Sequence, residues 1–510
     1  MSGDHTLPGS KRHIIVLSDI HLGTDVPTVW FQPSVHGEPL DRILRWVVEQ
    51  AAHIRELVLL GDVVDLWTYP ASMVPPTFAD IVAAHPDVLG PDGSIAACLD
   101  ALDGAVTYIP GNHDMGVTAE EAAMVHSGRS GRALRFAEGV YRPTDDVLLE
   151  HGHHHTLFNA PSELSPWAPL PLGYFVTRAV ATAWTRDLGP GQTVADLAGQ
   201  GAPNGLDLGA LGAVAGGIGA ASIAAGLIDI VSGTTKVTLD EPILMPDGST
   251  ATLREARREY IDVWTRWAET HGGGIVGQGV AYRSTMADAD GTYLGWFAQR
   301  RALEHGADLV VMGHTHAPIG GLEDSLVEYV NSGFDCPSLP DQQRDVDPQH
   351  VTFVVVDTEP EGADAAVWAV GDAIEPMDAP RTRVVGSRGH DYSCYVVLDN
   401  TAGAHDLELV DHGAAHGTWV VPPPALVAAG TEGRFWLQDL LGAAGSDGWA
   451  TYRRTGVDAD PVEVRFSCPT VGTNSCSGVS TYATRSGSEE WRDQRVAHWG
   501  HPFSVAFEVR

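Results

Sequence analysis

Residues 13–23 read His13-Ile14-Ile15-Val16-Leu17-Ser18-Asp19-Ile20-His21-Leu22-Gly23. A short unbroken apolar run, rich in β-branched residues, is the pattern of a strand covered on both faces. It ends in a carboxylate and an imidazole two positions apart, so both are delivered to one end of a sheet. The arrangement recurs downstream. Leu57–Leu60 (LVLL) runs into Gly61-Asp62-Val63-Val64-Asp65, and Val106–Ile109 runs into Gly111-Asn112-His113-Asp114. Val147–Glu150 runs into His151-Gly152-His153, and Asp308–Met312 into Gly313-His314-Thr315-His316. Leu40–His53 has helical spacing, with Leu40, Ile43, Leu44, Val47 and Val48 on one side. Strands alternating with helices predict an α/β layered core, one edge of which gathers all five motifs.

The pattern lapses after His155 and resumes at Asp308, then continues through Leu326–Val330, Val351–Val356 and Ala365–Val370. This places one domain over 13–370, with a helical cap inserted at about 156–304. Within the cap, Leu208–Ile228 is uncharged and rich in Gly and Ala. It has the roughly 20 residues a membrane span needs, and its small side chains also suit close helix packing. A packed cap helix, a lipid-accepting element and a span all fit it. Trp264 and Trp267 share a helix face and are expected to pack inward. Residues 371–382, with Pro376 and Pro380, read as a linker. Residues 383–510 carry short strand-like runs split by Gly, Asn, Asp and Pro, such as Tyr395–Leu398, Gly417–Val421, Arg434–Leu437, Val462–Phe466 and Ser504–Val509. They predict a C-terminal all-β sandwich.

The 510 residues hold 66 Asp and Glu against 31 Lys and Arg, a net charge of −35. Such a field repels polyanions, which argues against nucleic-acid binding through a basic face. An anionic substrate would need local positive charge, and bound metal ions would provide it. None of the five cysteines forms a C-x-x-C pair, so a zinc knuckle is unsupported. Cys468 and Cys476 could pair, although buried free thiols are the expectation. No apolar run precedes Ile14, which leads to the expectation of a cytoplasmic protein, peripheral to a membrane if its substrate is lipid-linked.

Taken singly, each motif has an ordinary reading as a capped turn or a loop. Five in this order, each after an apolar strand, instead supply two carboxylates, an amide oxygen and four imidazoles. Oxygen and imidazole ligands without thiolate suit Mn, Fe or Zn. Two such ions about 3.5–4 Å apart can clamp a phosphoryl group. One carboxylate must bridge them, and Asp62 is placed for that.

The set Asp19-x-His21, Gly61-Asp62-x-x-Asp65, Gly111-Asn112-His113-Asp114, a lone His and Gly313-His314-x-His316 resembles the calcineurin-like metallophosphoesterase superfamily. Asn331-Ser332-Gly333 looks like that family's closing turn. The resemblance implies a layered β-sandwich core flanked by helices, two divalent metal ions and hydrolysis of phosphate mono- or diesters. One metal would take Asp19, His21, Asp62 and His316, and the other Asp62, Asn112, His151 and His314. His153 is a rival to His151, and Asp65 is expected behind the ligands rather than among them. His113 would protonate the leaving oxygen, with Asp114 orienting its ring.

Asp19-Ile20-His21-Leu22-Gly23 and Gly61–Trp67 are also similar to the UDP-diacylglucosamine hydrolases, which insert a helical cap and bind acyl chains. That resemblance implies a lipid-linked phosphoester substrate. Those enzymes commonly have Arg where His113 stands. In the last third, His416-Gly417-Thr418-Trp419, Pro422-Pro423-Pro424, Gly430, Gly433, Gly445-Ser446-Asp447-Gly448 and Pro469–Asn474 resemble the aegerolysins, small sandwiches of which several bind membrane lipid. Trp419, Trp436 and Trp449 are read as core or interface rings. Two other readings stand beside the hydrolase: a lipid-binding or membrane-active protein whose phosphoesterase half is regulatory or inactive, and a soluble cyclic-nucleotide or protein phosphatase.

Overall fold

The strand His13–Leu17 lies at the centre of a seven-stranded sheet in the computed structural model of the chain. The structure describes residues 4–163, 165–196, 220–270, 284, 288, 290–323, 327–334, 351–359, 362–383, 392–439, 445–471, 473–479 and 503–509. On one side, His13–Leu17 pairs in parallel with Ile54–Leu60, which pairs with Val106–Ile109 and then Arg135–Phe136. On the other side it pairs antiparallel with Val351–Glu359, followed by Gly362–Val370 and Ile374–Pro376. A second sheet of three parallel strands, Val147–Leu149, Leu309–Met312 and Glu328–Asn331, stacks on the first.

Side-chain alternation explains why these strands are apolar throughout. Ile14, Val16, Val58 and Leu60 face the second sheet, meeting Val147, Leu149, Leu309, Val311 and Val330. Ile15, Leu17, Leu57 and Leu59 face the opposite way, against the helices Pro33–Glu49 and Ser94–Ala101 through Leu40, Ile43, Leu44, Val47, Ile95 and Leu99. Each such side chain, fully buried, contributes about 1.5–3 kcal/mol. The motifs after Val147–Leu149 and Leu309–Met312 therefore reach the site from a different sheet than the first three. The first helix begins at Pro33, not Leu40. Pro33 needs no hydrogen bond at the first helical position, and burial of His36, Leu40 and Ile43 offsets the bond lost at Pro39.

The inserted region contains the helices Leu172–Asp187, Ala220–Thr235 and Leu253–Thr270, which pack through Phe175, Ile228, Val231, Ala256 and Tyr260. Arg178, fully buried, ties the first of them to the core. Its guanidinium donates to the carbonyls of Tyr69, Pro70, Met73 and Leu244 at 2.5–2.9 Å. Trp264 is buried beside Leu157, as its helix face implied. Most of Leu208–Ile228 lies outside the described residues. No helix among the described residues is long and apolar enough to cross a membrane.

The C-terminal region is all-β. Thr418–Val421, Glu432–Gln438, Cys394–Asp399 and Phe503–Glu508 form one sheet, and Leu426–Val427, Leu407–His416, Ser446–Arg454, Val462–Cys468 and Ser475–Val479 form the other. Their inner faces meet around Val396, Leu398, Phe435, Tyr452, Val464, Phe466 and Phe507. Cys98, Cys394, Cys468 and Cys476 are buried free thiols. The outer face of the first sheet packs Tyr395, Val397, Trp436 and Ala506 on Trp296 and Phe297 of the helix Thr292–His305. The Arg300 guanidinium lies 4.6 Å from the Trp436 ring centre, and Arg434 donates to Asp308 Oδ1 at 2.7 Å. Trp436 is thus an interface ring, whereas Trp449 is half-buried on the second sheet.

Candidate metal centre

The five motifs converge because the turns that carry them are interlocked. Asp19 N donates to Gly61 O at 3.0 Å, His21 N to Asp62 O at 2.8 Å, and Asp65 N to Leu22 O at 2.8 Å. Asp19, His21, Asp62, His314 and His316 all adopt positive φ, between 51° and 73°. Side chains rarely accept that conformation, which costs on the order of 1–3 kcal/mol per residue and persists only where surroundings enforce it. Close approach adds a second constraint. A Cβ on Gly61, itself at φ +79°, would lie 2.4 Å from His151 Nδ1, and one on Gly111 would lie 2.3 Å from Asp62 Oδ1.

All seven sequence-derived ligand positions meet at this edge. Asp19, His21 and His316 bring ligand atoms within 4.8 Å of one another, and so do Asp62, His151 and His314, and His21, Asp62 and His113. His21 Nε2 and His316 Nε2 are 3.1 Å apart, and His316 Nε2 is 3.4 Å from Asp19 Oδ1. In the second set His151 Nε2 lies 3.3 Å from Asp62 Oδ2 and 3.3 Å from Asn112 Oδ1. Asp62 also stands 3.8 Å from His21 Nε2, between the first two sets. His153 is buried, with its ring 5.4 Å from that of His151, but it joins none of these sets.

Burial and mutual proximity shift the acidic and imidazole groups of the site strongly. Burial raises the Asp19 carboxyl above its ordinary value, and the neighbouring Asp62 charge adds to this. Against the same effect of burial, His151 and His113 hold Asp62 well below the carboxylate range. Burial, reinforced by the His151 charge, pushes His314 down to about 3, and burial with His21 pushes His316 well below its usual value. His151 rises to about 9 despite burial, because Asp62 and Asp19 face it. Imidazole nitrogens gathered with buried carboxylate and amide oxygens are a donor set for hard or borderline divalent ions, and these residues fit that role.

One role moves. Asp114 does not orient His113. Its carboxylate accepts from Gly111 N at 2.5 Å, Val63 N at 3.0 Å, Asp62 N at 3.2 Å and the Tyr108 hydroxyl at 2.5 Å, and so splints the ligand turns. Asp65 takes the orienting role: its Oδ1 is 3.0 Å from His113 Nδ1 and its Oδ2 is 3.4 Å from His21 Nδ1. The backbone explains the exchange. Asp114 follows His113 directly, and its side chain turns back into its own loop, whereas Asp65 approaches from the neighbouring strand's turn. His113 Nε2 is left free of the Asp65 contact, and the ring borders a 430 Å³ pocket lined by Trp67, Met115, Trp167, Leu170, Tyr174 and Met245.

Two further residues at the site had no role assigned from the sequence. The Trp30 ring centre lies 4.6 Å from that of His21 and 4.8 Å from that of His113. The Trp67 ring stacks on His113 at 4.5 Å and 26°. Trp67 stood inside a quoted stretch, but only contact with His113 reveals its place. On the far side Thr156 Oγ1 is 3.1 Å and Asn159 Nδ2 3.3 Å from His314 Nε2.

No family model and no curated protein matches this sequence. Among solved structures, a dimetal phosphatase from Danio rerio is similar at 9% identity, over 72% of this chain and 98% of that one, with a TM-score of 0.26. The lipid-binding protein Nakanori is similar at 12% identity over 23% of this chain and 71% of its own, with a TM-score of 0.19. The RahU protein is similar at 10% identity over 24% and 97%, with a TM-score of 0.18. Identities and TM-scores of this size leave the site's own geometry as the basis for its chemistry.

Proposed function

We propose that the chain is a metal-dependent phosphoric ester hydrolase. The observation that carries this reading is the overlapping Asp/His clusters on one edge, with Asp62 shared between the His21 side and the His151–His314 side. Asp19, His21, Asp62 and His316 would hold one divalent ion, and Asp62, Asn112, His151 and His314 the other. Mn, Fe and Zn all suit these donors. When bound, such a pair supplies positive charge to a phosphoryl group and acidifies water.

The chain's own residues do the remainder. His113 is fixed through Nδ1 by Asp65, so Nε2 can give a proton to the leaving oxygen, a contribution of about 10²–10⁴ in rate. The Asn112 amide lies beside His151, where it can also meet a phosphoryl oxygen. The pocket bordering His113 is apolar along Trp67, Met115, Leu170 and Met245, which suits a leaving group with a hydrophobic body. That supports a lipid-linked phosphoester among mono- and diesters. A membrane surface as partner follows from the lipid-linked reading of that pocket.

Metal analysis of the purified chain, followed by a phosphoester panel with added Mn or Zn, tests the reading. Two metal equivalents with turnover support it, and absence of both metal binding and turnover overturns it. His113→Ala is expected to slow turnover while keeping the metal, and equal loss of metal would remove the acid role. Flotation of the full chain with liposomes tests the lipid link, and no binding would sink it.

A further inference from the structure

The inserted helices reach the proton-donating side of the site as well as enclosing the pocket. His113 is held by its backbone N–H on Asp62 Oδ1 at 2.7 Å, by the His21 ring edge-on at 4.6 Å, and by three further contacts. Asp65 Oδ1 fixes Nδ1 at 3.0 Å, Trp67 stacks on the ring at 4.5 Å, and Trp30 tilts against it at 4.8 Å and 45°. With one nitrogen tied and indoles against the ring, the Nε2 edge is the part left to meet a substrate oxygen. Both indoles are held from behind by the helix Leu172–Asp187. Tyr174 meets Trp67 edge-on at 5.9 Å and 89°, and Trp184 packs in one cluster with Trp30. Ten residues separate these two contacts, about 15 Å of helix. Arg178, between them, bonds the backbone just beyond Trp67, at Tyr69, Pro70 and Met73. Thr182 Oγ1 also accepts from Ala71 N at 2.7 Å.

We propose that Trp67 and Trp30 are positioning residues that hold the His113 imidazole for proton transfer to the leaving oxygen, with the helix Leu172–Asp187 as their brace. The proposal rests on the phosphoesterase reading, and it adds that the insertion takes part in chemistry as well as in binding. No reactant beyond that hydrolysis is needed: a water oxygen forms the new P–O bond, the P–O bond to the leaving group breaks, His113 Nε2 gives that leaving oxygen its proton, and the proton shed by the attacking water returns the imidazole to its starting state. Misplacing a catalytic group by about 1 Å can cost on the order of 10² in rate. That loss falls on substrates that need the proton. An alkyl ester leaves as a strongly basic alkoxide and needs it, whereas a 4-nitrophenyl ester leaves readily without it.

The test uses the full chain with excess zinc. Turnover of a 4-nitrophenyl and an alkyl phosphoester is compared in wild type, Trp67→Leu and Trp67→Phe. Trp67→Leu should lower alkyl-ester turnover about 10- to 100-fold and aryl-ester turnover less than about threefold, within the general-acid range. Trp67→Phe should recover most of the difference, since an aromatic face returns. The ratio is internal to each sample, so partial unfolding does not imitate it. Equal losses on both esters overturn the proposal. A second readout is independent of turnover: the His113 Cε1–H resonance, assigned by its disappearance in His113→Gln. Indole ring currents should displace it in the wild type, and Trp67→Leu should return it towards the free-histidine position. If the wild type hydrolyses neither ester, the phosphoesterase reading falls, and the resonance still decides the clamp. A wild-type resonance at the free position overturns it.

Discussion

Asp65→Asn separates ligand orientation from turn capping at a residue that touches both. The Asp65 carboxylate accepts from Trp67 N at 2.8 Å, Thr68 N at 3.0 Å and Thr68 Oγ1 at 2.8 Å, and it faces His113 Nδ1 and His21 Nδ1 at 3.0 and 3.4 Å. Asparagine keeps the Oδ1 that serves His113 and the two backbone donors. It replaces Oδ2 with an amide nitrogen. The Thr68 hydroxyl can reverse its bond to that nitrogen, but His21 Nδ1–H cannot. The loss therefore falls on His21, which would offer Nε2 to a metal without the carboxylate charge that stands 3.4 Å behind its Nδ1. Removing a partner of this kind typically lowers metal affinity about 10- to 100-fold, or about 1.4–2.8 kcal/mol. Competition of the purified variant with a chromophoric zinc chelator reads that change directly. Affinity within about twofold of wild type would refute the reasoning, leaving Asp65 as a turn cap for Trp67 and Thr68. Asp114→Asn is the comparison: its partners are backbone N–H groups and Tyr108 rather than a ligand imidazole, so it should lose stability, about 1–3 kcal/mol for an unsatisfied buried partner, and lower metal affinity less than Asp65→Asn does.

Zinc or manganese at about 100 times its dissociation constant should stabilise the chain by about 2.7 kcal/mol, seen as a raised melting temperature that a chelator reverses; His316→Ala should reduce the shift, and an unchanged shift would remove His316 from the ligands. Glu150 is buried, and although burial works against it, His155 at 2.6 Å and Arg301 at 3.3 Å hold its carboxyl down at about 2 from 4.5. A depressed folded value stabilises above the unfolded one and is lost as pH falls through the folded one, so about 3 kcal/mol should vanish between about pH 4.5 and 2. In urea titrations with chelator present, Glu150→Gln should be less stable at neutral pH and converge with wild type in that window; a constant difference would exclude the charge as its source. Gly61→Ala forces a methyl group to within 2.4 Å of His151 Nδ1 at a positive φ, and should cost about 2–4 kcal/mol together with bound metal. Chemical denaturation and metal analysis check it, and a variant with normal metal content would contradict the close packing.

The core was legible in Ile14–Leu17 and Leu57–Leu60 because both faces of those strands are covered, so every position is apolar and the run cannot be mistaken for an amphipathic element. The resemblance implied two layers, but which strand belongs to which was not legible, since Val147–Leu149 and Leu309–Met312 read the same way in either sheet. The sandwich shows the opposite case. Ser446–Arg454 is one of its longest strands, yet its inward positions begin Ser446, Gly448 and Ala450, too small to register as an apolar face. Leu407–His416 is mostly exposed and shifts register twice against its partner, so it shows no alternation at all. Its existence follows from the backbone partners that Ser446–Arg454 offers, a long-range fact.

At the site, residue types were legible and their division of labour was not. Asp65 and Asp114 are both carboxylates at the end of a ligand motif, and nothing local distinguishes the one that faces an imidazole from the one that faces amides. The difference lies in φ. Asp19, His21, Asp62, His314 and His316 each take a left-handed conformation that a carboxylate or imidazole residue would not choose alone. Five strained residues at roughly 1–3 kcal/mol each would unravel isolated turns. They hold because each turn is hydrogen-bonded to the next, with Asp114 bridging Gly111 to Asp62 and Val63, and Asp19 receiving His314 N at 2.9 Å from the other sheet. Strain carried jointly in this way makes the ligand turns mutually dependent. A substitution that loosens a turn without removing a ligand, such as Gly111→Ala against Asp62 Oδ1, should therefore disturb both ligand sets, not the nearer one alone, and metal analysis of the variant reads this. The two stacked sheets, by fixing the ends of all five strands, supply the rigidity against which that strain is held.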